Sequence, residues 1–383
     1  MRKVCVVIGS RANYSSIKSA MQAIEAHPEL ELQVVAGASA LLDRYGSVVE
    51  LIEQDGFQPD AKVYMLIEGE TPATMAKSTG LGLLELPTVF ERLRPDIVLT
   101  VGDRFETMAT TLAAAYMNIT LAHTMGGEVS GTIDESIRHA VTKFAHIHFP
   151  ACSEAAERII KLGEKPEDVH LVGCPRIDLV AEVNQYDSND IAQDIFMEGV
   201  GGQFDLEEQF LIVTQHPVTT EYGEGEHQIN ETLHAVQKLE IPAIVLWPNP
   251  DAGSDDVARG IRKFREHFDD SQFHFSKSLP LESFIRLMKR SACIVGNSSS
   301  AIREGAFVGV PSVNIGTRQQ GRQRGKNVIE ADHERGVIAD AIGRQLRHGP
   351  YSSDALYGDG RAGERIAEIL SSSSVEVQKR ITY

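Results

Sequence analysis

The chain has 383 residues, of which 42% are hydrophobic and 24% are charged, and its formal net charge is −17 at pH 7. This length is more than one ordinary hydrophobic core accommodates, so the composition predicts a soluble globular protein of two domains. The negative charge argues against general nucleic-acid binding, and no apolar run reaches the roughly 18 residues that would span a membrane.

The N-terminal apolar run is too short to be a signal segment, because it stops at Gly9 after Ile8. Four cysteines (Cys5, Cys152, Cys174 and Cys293) are scattered along the chain without a C-x-x-C pair. This spacing favours buried, reduced thiols and a cytoplasmic setting.

The first half alternates strand and helix patterns. Strands are predicted at 3–8, 31–36, 95–101, 119–123 and 169–172, and helices at 15–26, 41–54, 71–93 and 153–162. We expect Gly80 and Gly82 to break or bend the longest of these helices. Such alternation predicts a parallel sheet whose carboxyl edge binds the ligand.

Polar residues follow each of these strands. They are Arg11 and Asn13 after the first strand, Asp103 and Arg104 after the strand that ends at Val101, and His123, Glu128 and Asp134 around the next strand end. Several acids beside two arginines at one sheet edge predict a catalytic site. Three alternatives remain open: Arg11 as a solvated turn residue, Asp103 as a helix N-cap, and His123 as a hydrogen-bonded core histidine. His146 and His148 alternate in an apolar strand without a third ligand, so no metal site is predicted.

The second half repeats the alternation after a polar, glycine-containing junction between about 175 and 208. Strands are predicted at 210–213 and 243–247, a helix at 226–239, helical and polar structure after Val328, and an amphipathic helix at 361–370. His216 lies just past the first of these strands, where it is either a phosphate or sugar ligand or a turn residue.

The segment from Gly296 to Phe307 predicts an anion site. It joins a buried strand to a helix through glycine, asparagine and serines, so free N–H groups and the helix dipole converge on one spot. We interpret it as a diphosphate cradle, with an ordinary turn capped by serine as the alternative. Because the chain is acidic, arginine must be concentrated locally, and Arg318, Arg322 and Arg324 follow the next strand.

Taken together, the motifs resemble the UDP-N-acetylglucosamine 2-epimerase family, and its hydrolysing branch, which serves sialic-acid and legionaminic-acid pathways, in particular. The motifs are Gly9–Tyr14, Gly102–Glu106, Gly126–His139, Gln215–Thr219, Gly296–Ser299 with Arg303 and Glu304, and Gly316–Gln319. They cover nearly the whole chain in the family's order.

The resemblance implies an α/β glycosyltransferase-B (GT-B) architecture of two Rossmann-like lobes. Residues 1–180 would form the catalytic lobe, with a final helix at about 361–383 packing back on it, and 181–360 the UDP-binding lobe. It implies Asp103 and Asp134 as catalytic acids, and a binding set of Arg11, Asn13, Arg104, His216, Asn249, Asp251, Phe284, Asn297, Ser298, Ser299, Glu304 and Arg318. Ser298 and Ser299 would hold diphosphate, Glu304 the ribose, and Phe284 would lie near uracil.

Two positions depart from the family pattern: Met125 stands where a carboxylate or another polar residue is common, and Asn13 where related chains carry an acid. The departures suggest a differently substituted sugar or a proton-transfer role for Glu128 or His123. The resemblance implies a UDP-sugar substrate, no cofactor or metal ion, and a homo-oligomer, either a dimer or a tetramer. A non-hydrolysing epimerase, a glycosyltransferase and a catalytically inactive UDP-sugar sensor remain alternatives.

Overall fold

The structure is a computed structural model that describes residues 1–43, 46–69, 71–130, 133–185, 192–197, 199–248, 253–267, 270–277, 279–374 and 376–382. The chain divides into two compact units. Unit 1 comprises Met1–Glu128, Ile133–Leu179 and Tyr357–Tyr383, and unit 2 comprises Val129–Thr132 and Val180–Leu356. Asn249 and Asp251 lie outside the described residues.

The strands of the described residues are β1 Arg2–Ile8, β2 Leu30–Gly37, β3 Ala61–Val63, β4 Ile97–Val101, β5 Thr120–Thr124, β6 Ile147–Phe149, β7 Gly199–Gly201, β8 Leu211–Thr214, β9 Ala243–Leu246, β10 Phe273–Ser276, β11 Cys293–Gly296, β12 Ser312–Ile315 and β13 Val328–Ala331. The helices are α1 Arg11–Ser15, α2 Lys18–Ala26, α3 Val48–Gln54, α4 Pro72–Leu93, α5 Phe105–Tyr116, α6 Ile133–Phe144, α7 Ser153–Lys161, α8 Pro175–Gln185, α9 Ala192–Met197, α10 Gly225–Gln237, α11 Ser254–His267, α12 Leu281–Arg290, α13 Ser299–Ile302, α14 Glu304–Val308, α15 Arg335–His348 and α16 Ala362–Ser372.

Unit 1 is built on a six-stranded sheet in the order β3-β2-β1-β4-β5-β6, and every pairing in it is parallel. The chain leaves β1 towards β2 and β3 and returns to the other side of β1 as β4. The strand order therefore reverses between β1 and β4, and in parallel sheets ligands bind at the carboxyl end of such a switch point. Arg11 and Asn13 follow β1, and Asp103 and Arg104 follow β4.

Unit 2 is built on a seven-stranded sheet in the order β13-β12-β11-β8-β9-β10-β7, in which only β7 runs antiparallel. Its switch point lies between β8 and β11. Successive strand residues face opposite layers: Leu211 and Val213 belong to one buried cluster, and Ile212 to the other. This alternation explains the short, fully apolar strands in the sequence.

The C-terminal helix α16 packs within unit 1. Asp178 of α8 accepts hydrogen bonds from Ala362 N at 2.9 Å and Gly363 N at 2.7 Å, and it thereby caps the start of α16. A Cβ at Gly363 would lie 2.6 Å from the Ser19 carbonyl oxygen, so α16 meets the first turn of α2 through a glycine.

The structure departs from the elements expected from the sequence at four places. Helix α4 is continuous from Pro72 to Leu93, so the glycine pair does not break it. Around Val169 the described chain forms a single bridge to His148 instead of a strand. Residues Gly199–Gly201 form β7 because an antiparallel partner, β10, is available at the sheet edge. Residues Val328–Ala331 form β13, so helical structure resumes only at Arg335.

Candidate active site

In unit 1 the buried amide of Asn13 joins the two strands at the switch point. Its Oδ1 accepts from Gly9 N at 3.2 Å, and its Nδ2 donates to the Val101 carbonyl at 3.4 Å. The Asn13 backbone N–H donates to the Ser10 hydroxyl, which caps α1. An aspartate in this place could not donate to Val101, so the fold accounts for asparagine here independently of any substrate contact.

Asp103 follows β4 and is held by Arg138 of α6. Arg138 is 2% exposed; its Nη2 donates to Asp103 Oδ2, and its Nη1 donates to the Glu128 carbonyl at 2.7 Å. A buried guanidinium requires a counter-charge, which Asp103 supplies. The Asp103 side chain keeps 24% of its surface exposed, so the carboxylate is fixed yet accessible.

Asp134 lies in the first turn of α6, four residues before Arg138. Residues four apart lie on the same helix face, so α6 presents both charged groups on one side. The start of a helix favours an acid there through its partial positive charge. One helix thus carries the predicted acid Asp134 and the anchor of the predicted acid Asp103.

Arg104 is oriented by Glu106. Its Nε donates to Glu106 Oε1 at 2.9 Å, and Glu106 is 4% exposed. A Cβ at Gly9 would lie 2.2 Å from Glu106 Cγ, so a glycine at the end of β1 makes room for this carboxylate. Arg11, half-buried, begins α1, and its Nη1 would be 3.8 Å from a Cβ at Gly46.

His123 is fully buried and hydrogen-bonded within the fold. Its Nε2 donates to the Gly102 carbonyl at 2.8 Å, and its Nδ1 lies 3.4 Å from the Thr142 hydroxyl. Burial lowers the pKa of His123 to about 3, against a smaller opposing effect of the Gly102 carbonyl. The imidazole is therefore neutral near pH 7, which favours the structural interpretation of His123 over proton transfer.

The turn after β5 is shaped by residues with positive φ. Met125 has φ +61° and is 7% exposed, with its sulfur 3.9 Å from Cys174 Sγ. Gly127 has φ +76°, and a Cβ there would lie 2.3 Å from the Ala155 carbonyl oxygen, so only glycine fits. The turn buries Glu128 to 2% exposure.

In unit 2 the side chain of Asn297 clamps the backbone of His216 across the switch point. Asn297 Oδ1 accepts from His216 N at 2.7 Å, and its Nδ2 donates to His216 O at 2.8 Å. Gly296 before it has φ +135°, and a Cβ there would lie 2.1 Å from the Thr214 carbonyl oxygen. The ends of β8 and β11 are therefore locked together, which places the predicted ligand residues His216 and Asn297 side by side.

The segment Gly296–Phe307, which we call the serine segment, differs from the single helix that the sequence predicts. It forms two short helices, α13 and α14, which meet at Arg303. The Ser298 hydroxyl accepts from Ser300 N at 3.4 Å and caps α13, and Ser299 is the first helical residue. Because α13 is a single turn, a bound anion would gain more from local N–H groups and hydroxyls than from a long helix dipole.

The glycine-rich loop after β12 folds back onto Asn297. Arg318 Nη1 and Gln319 Nε2 donate to the Asn297 carbonyl at 3.2 and 2.9 Å. Arg322 is buried, whereas Arg324 pairs with Glu330. Arg318 therefore lies beside the serine segment, whereas the charge of Arg324 is neutralised by Glu330.

Two other predicted nucleotide ligands are buried in unit 2. Glu304 starts α14 and is 2% exposed. Phe284 is 8% exposed and packs in the apolar cluster with Leu287 and Met288, so little of the residue remains accessible.

Within the described residues no group of three or more His, Cys, Asp or Glu side chains is arranged to hold a metal ion, and no helix is long and apolar enough to cross a membrane.

A sequence model of the family described as UDP-N-acetylglucosamine 2-epimerase matches residues 22–371. The chain belongs to the UDP-N-acetylglucosamine 2-epimerase family. The match includes every candidate residue described above except Arg11 and Asn13, which precede it. The protein is accordingly an enzyme of this family, as the motifs predict.

Named relatives align along nearly the whole chain. A UDP-N,N'-diacetylbacillosamine 2-epimerase (hydrolyzing) of Legionella pneumophila is 32% identical over 378 residues, covering 99% of this chain and 98% of the relative. A UDP-N-acetylglucosamine 2-epimerase of Neisseria meningitidis serogroup B is 31% identical over 387 residues, covering 99% of this chain and 98% of the relative.

Solved structures confirm the predicted GT-B-type fold of two Rossmann-like units. The UDP-GlcNAc 2-epimerase from Neisseria meningitidis bound to UDP-GlcNAc superimposes with a TM-score of 0.82 at 17% identity, covering 97% of this chain and 100% of that one. The Methanocaldococcus jannaschii UDP-GlcNAc 2-epimerase in complex with UDP-GlcNAc and UDP gives a TM-score of 0.78 at 17% identity, covering 97% and 100%.

Sequence reasoning assigned no role to Arg138, Glu106 or Gln319, although each lies in a segment that drew attention. The signal for Arg138 was its spacing of four residues after Asp134 at a helix start. Glu106 stands two residues after Arg104. Nothing in the sequence pointed to the contact of Gln319, because its partner is the backbone carbonyl of Asn297, 22 residues away.

Proposed function

We propose that this enzyme is a hydrolysing UDP-N-acetylglucosamine 2-epimerase, or one acting on a UDP-2,4-diacetamido-trideoxyhexose. It releases UDP and a free N-acetylmannosamine-type sugar. The observation that carries the proposal is the anchoring of Asp103, at the switch point of unit 1, by the buried Arg138 of α6, the helix whose first turn carries Asp134. A rigidly held, accessible carboxylate is what proton transfer at a weakly acidic carbon requires.

The reaction begins with an elimination. The proton at C2 of the sugar passes to a carboxylate, the electrons of the C2–H bond form the C1–C2 double bond, and the C1–O bond breaks to release UDP. The product is a 2-acetamidoglycal. Asp103 and Asp134 are the two candidates for the base.

Water then adds to the double bond. A proton returns to C2 from the opposite face, which inverts that centre, and hydroxide from water bonds to C1. The carboxyl group that did not remove the first proton is, in its protonated form, the candidate donor of the second, with Glu128 as a further candidate. The proton left by the water then restores the donor. His123 is neutral and hydrogen-bonded, so we propose a structural role for it. It holds the carbonyl of Gly102, the residue before Asp103.

Departure of UDP needs stabilisation of its diphosphate, and residues of unit 2 are suited to it. Backbone N–H groups and hydroxyls at Ser298 and Ser299, the Arg318 guanidinium and the clamped His216 all lie at the switch point of the second sheet. Cationic and N–H donors aimed at a leaving group lower the barrier because its charge develops in the transition state. We propose that Glu304 binds the ribose, that Phe284 lies near uracil, and that the remaining substrate ligands are Arg11, Asn13, Arg104, Asn249, Asp251 and Asn297.

Hydrolysis, rather than return of UDP, is supported by the full-length similarity to the Legionella relative, which is named as hydrolyzing. The Campylobacter jejuni GDP/UDP-N,N'-diacetylbacillosamine 2-epimerase, 28% identical over 335 residues, is also named as hydrolyzing. A polysialic acid biosynthesis protein of Escherichia coli, 30% identical over 345 residues, supports a place in sialic-acid or other nonulosonate synthesis.

Two finer inferences belong to the same proposal. The four buried thiols (Cys5, Cys152, Cys174 and Cys293) suit a reducing cytoplasm. A homo-oligomer, either a dimer or a tetramer, is the expected working form, and sedimentation of the purified chain tests it: a monomer at assay concentration contradicts this expectation.

A product assay tests the reaction. The enzyme is incubated separately with UDP-N-acetylglucosamine and with its 2,4-diacetamido-trideoxy analogue, and NMR follows the sugar. We expect UDP and a free manno-configured sugar from one of them without an added acceptor. An equilibrium of two UDP-linked sugars would favour the non-hydrolysing alternative, and tight binding without turnover would favour a sensor.

The matched pair of variants is Asp103→Asn and Asp96→Asn. Both residues flank β4, but Asp96 lies at its opposite end, where Oδ2 accepts from Lys3 N at 2.7 Å. We expect Asp103→Asn to lower kcat by roughly 100-fold or more, since a positioned proton-transfer group contributes about that much. Asp96→Asn should keep kcat within about twofold of wild type.

A further inference from the structure

The last described residues, 376–382, which we call the C-terminal strap, lie against unit 1 beyond α16. The Val377 carbonyl accepts from His146 Nε2 at 2.9 Å, and Thr382 donates to the Gly163 carbonyl from its backbone N–H at 3.0 Å and its hydroxyl at 3.1 Å. The strap therefore spans from the start of β6 to the turn after α7.

Lys379 carries the central contact of the strap. Its ammonium donates to the carbonyls of Thr142, Lys143 and Ala145, at 3.4 Å for Thr142 and 3.0 Å for Lys143. These carbonyls belong to the last turn of α6 and the residue just beyond it, where a helix has no internal donors left. A cation there also complements the negative end of the helix dipole.

Glu164 fixes Lys379 in this position. Glu164 is 4% exposed and accepts from Lys379 Nζ at 2.6 Å, Lys143 Nζ at 2.5 Å and His148 Nε2 at 3.2 Å. Burial raises the pKa of this carboxyl, but the three hydrogen bonds outweigh burial and lower it to about 2. Glu164 is thus a permanent buried anion at neutral pH, and one of its cations comes from the strap.

Hydrogen bonds connect the strap to the proposed catalytic residues. Thr142, whose carbonyl contacts Lys379, donates its hydroxyl to the Arg138 carbonyl at 3.0 Å. The same hydroxyl lies 3.4 Å from His123 Nδ1. His123 in turn holds the carbonyl of Gly102, the neighbour of Asp103, and Arg138 holds Asp103 itself.

We propose that Lys379 is a positioning residue of this enzyme: the C-terminal strap pins the end of α6 and so fixes Arg138, Asp103 and Asp134. The inference rests on the proposed function for its catalytic consequence. The structural part of the proposal, that the strap holds the end of α6, concerns unit 1 alone and can be measured without turnover.

The test uses the full-length enzyme and four variants. Lys379→Met removes the ammonium at similar length, and Lys379→Arg keeps the charge. A stop after Ser374 removes the strap. The control is Lys161→Met, which removes an exposed lysine of α7 that pairs only weakly with Glu157, at 3.8 Å.

Steady-state kinetics give the first readout. We expect Lys379→Met and the truncation to lower kcat by about tenfold, well within the roughly 100-fold that a displacement of about 1 Å can cost. KM and the Kd for UDP should stay within about twofold of wild type, because the residues proposed to hold the diphosphate, Ser298, Ser299 and Arg318, lie in unit 2. Lys379→Arg should recover part of the loss, and Lys161→Met should match wild type.

Hydrogen exchange of peptides covering 102–108 and 133–144 gives the second readout. Faster exchange there in Lys379→Met, with the thermal midpoint well above assay temperature, supports positioning. Unchanged exchange and a kcat within about twofold of wild type overturn the proposal, as does a loss of kcat matched by Lys161→Met. If the wild type turns over no UDP-sugar, the proposed function fails, and the exchange data alone decide whether the strap holds α6.

Discussion

At the scale of single residues, the pair of Asp103 and Arg138 is the contact on which the proposed chemistry depends. Arg138 makes two contacts: one guanidinium nitrogen donates to the Asp103 carboxylate, and another donates to the Glu128 carbonyl. It therefore fixes two turns of the sheet edge relative to α6. Removing one partner of such a buried pair leaves the other charge uncompensated.

We expect Arg138→Met to lower kcat by about 100-fold, because Asp103 loses its anchor. The Kd for UDP should change by less than about threefold, and Arg138→Lys should give an intermediate kcat because a lysine cannot donate to both partners in the same geometry. Arg92→Met, which removes an exposed arginine of α4 bonded to the Asp60 carbonyl at 2.9 Å, is the control. An Arg138→Met enzyme with a kcat near wild type would contradict the role.

Asn297 is the corresponding residue in unit 2. Asn297→Ala removes both bonds to the His216 backbone, each worth about 1 kcal/mol, so we expect the Kd for UDP, measured by calorimetry, to rise by up to roughly 30-fold. Asn230→Ala, a half-buried asparagine of α10, should leave the Kd unchanged. A tight-binding Asn297→Ala protein would show that the clamp does not shape the nucleotide site.

His123 makes unit 1 sensitive to acid. Burial lowers its pKa to about 3 in the folded state, so the unfolded chain binds this proton at higher pH than the folded chain. The stability that His123 contributes is complete above the unfolded pKa of about 6.5 and is lost as pH falls towards 3, by up to about 1.4 kcal/mol per pH unit.

Hydrogen exchange in β4 and β5, corrected for intrinsic rates, measures this effect between pH 6.5 and 4.5. Glutamine places an amide nitrogen near the position of Nε2 and does not titrate, so His123→Gln should flatten the decline of local stability with acid. Equal slopes in the two proteins would contradict the assignment.

At the level of elements, α4 contains two glycines two residues apart whose surroundings differ. Gly80 is exposed, and a Cβ there meets nothing within 4 Å. Gly82 is buried, and a Cβ there would lie 2.4 Å from Met65 Cε and 2.9 Å from Ala109 Cβ. Sequence alone treats both as helix breakers, whereas tertiary packing keeps the helix whole.

We therefore expect opposite effects from two alanine substitutions. Gly80→Ala should stabilise unit 1 by about 0.5–1 kcal/mol through helix propensity. Gly82→Ala should destabilise it by roughly 1–3 kcal/mol through overpacking. Thermal unfolding followed by circular dichroism ranks the two variants against wild type, and the same sign of change in both would refute this explanation of α4.

The serine segment marks a limit of element prediction. Its composition predicts one helix, but the helix is interrupted at Arg303, which lies between the last residue of α13, Ile302, and the first residue of α14, Glu304. Strands β7 and β13 were missed for a related reason. Each is an edge strand that exists because a neighbour, β10 or β12, offers its backbone groups.

At the scale of the whole molecule, the alternation of apolar runs and helix patterns sufficed to predict an α/β protein with two parallel sheets. The strand orders could not be predicted from those patterns alone, since they depend on which strands pair across long sequence separations. Yet the residues after β1, β4, β8 and β11 were singled out from their position at strand ends. The switch points explain why these four strand ends carry candidate residues, while others, such as Glu128 after β5 and Arg318 after β12, follow neighbouring strands.

The contacts that hold the candidate residues in place were largely beyond sequence reasoning. Arg138 to Asp103 spans 35 residues, and Lys379 to Glu164 spans 215. Partners so distant along the chain leave no periodic signal. The resemblance implies that the last helix packs back on the first lobe, but not the contacts that hold α16 and the C-terminal strap there. Those contacts run through Asp178 and Glu164, whose partners are 184 and 215 residues away.

NMR of the reaction run in deuterium oxide shows whether loss of the C2 proton and cleavage of the C1–O bond to UDP belong to the same reaction. We predict that the released sugar carries deuterium at C2, has the manno configuration and appears together with one equivalent of UDP. Release of UDP with a protium-bearing, gluco-configured sugar would contradict the account, because the C2–H bond would then never have been broken.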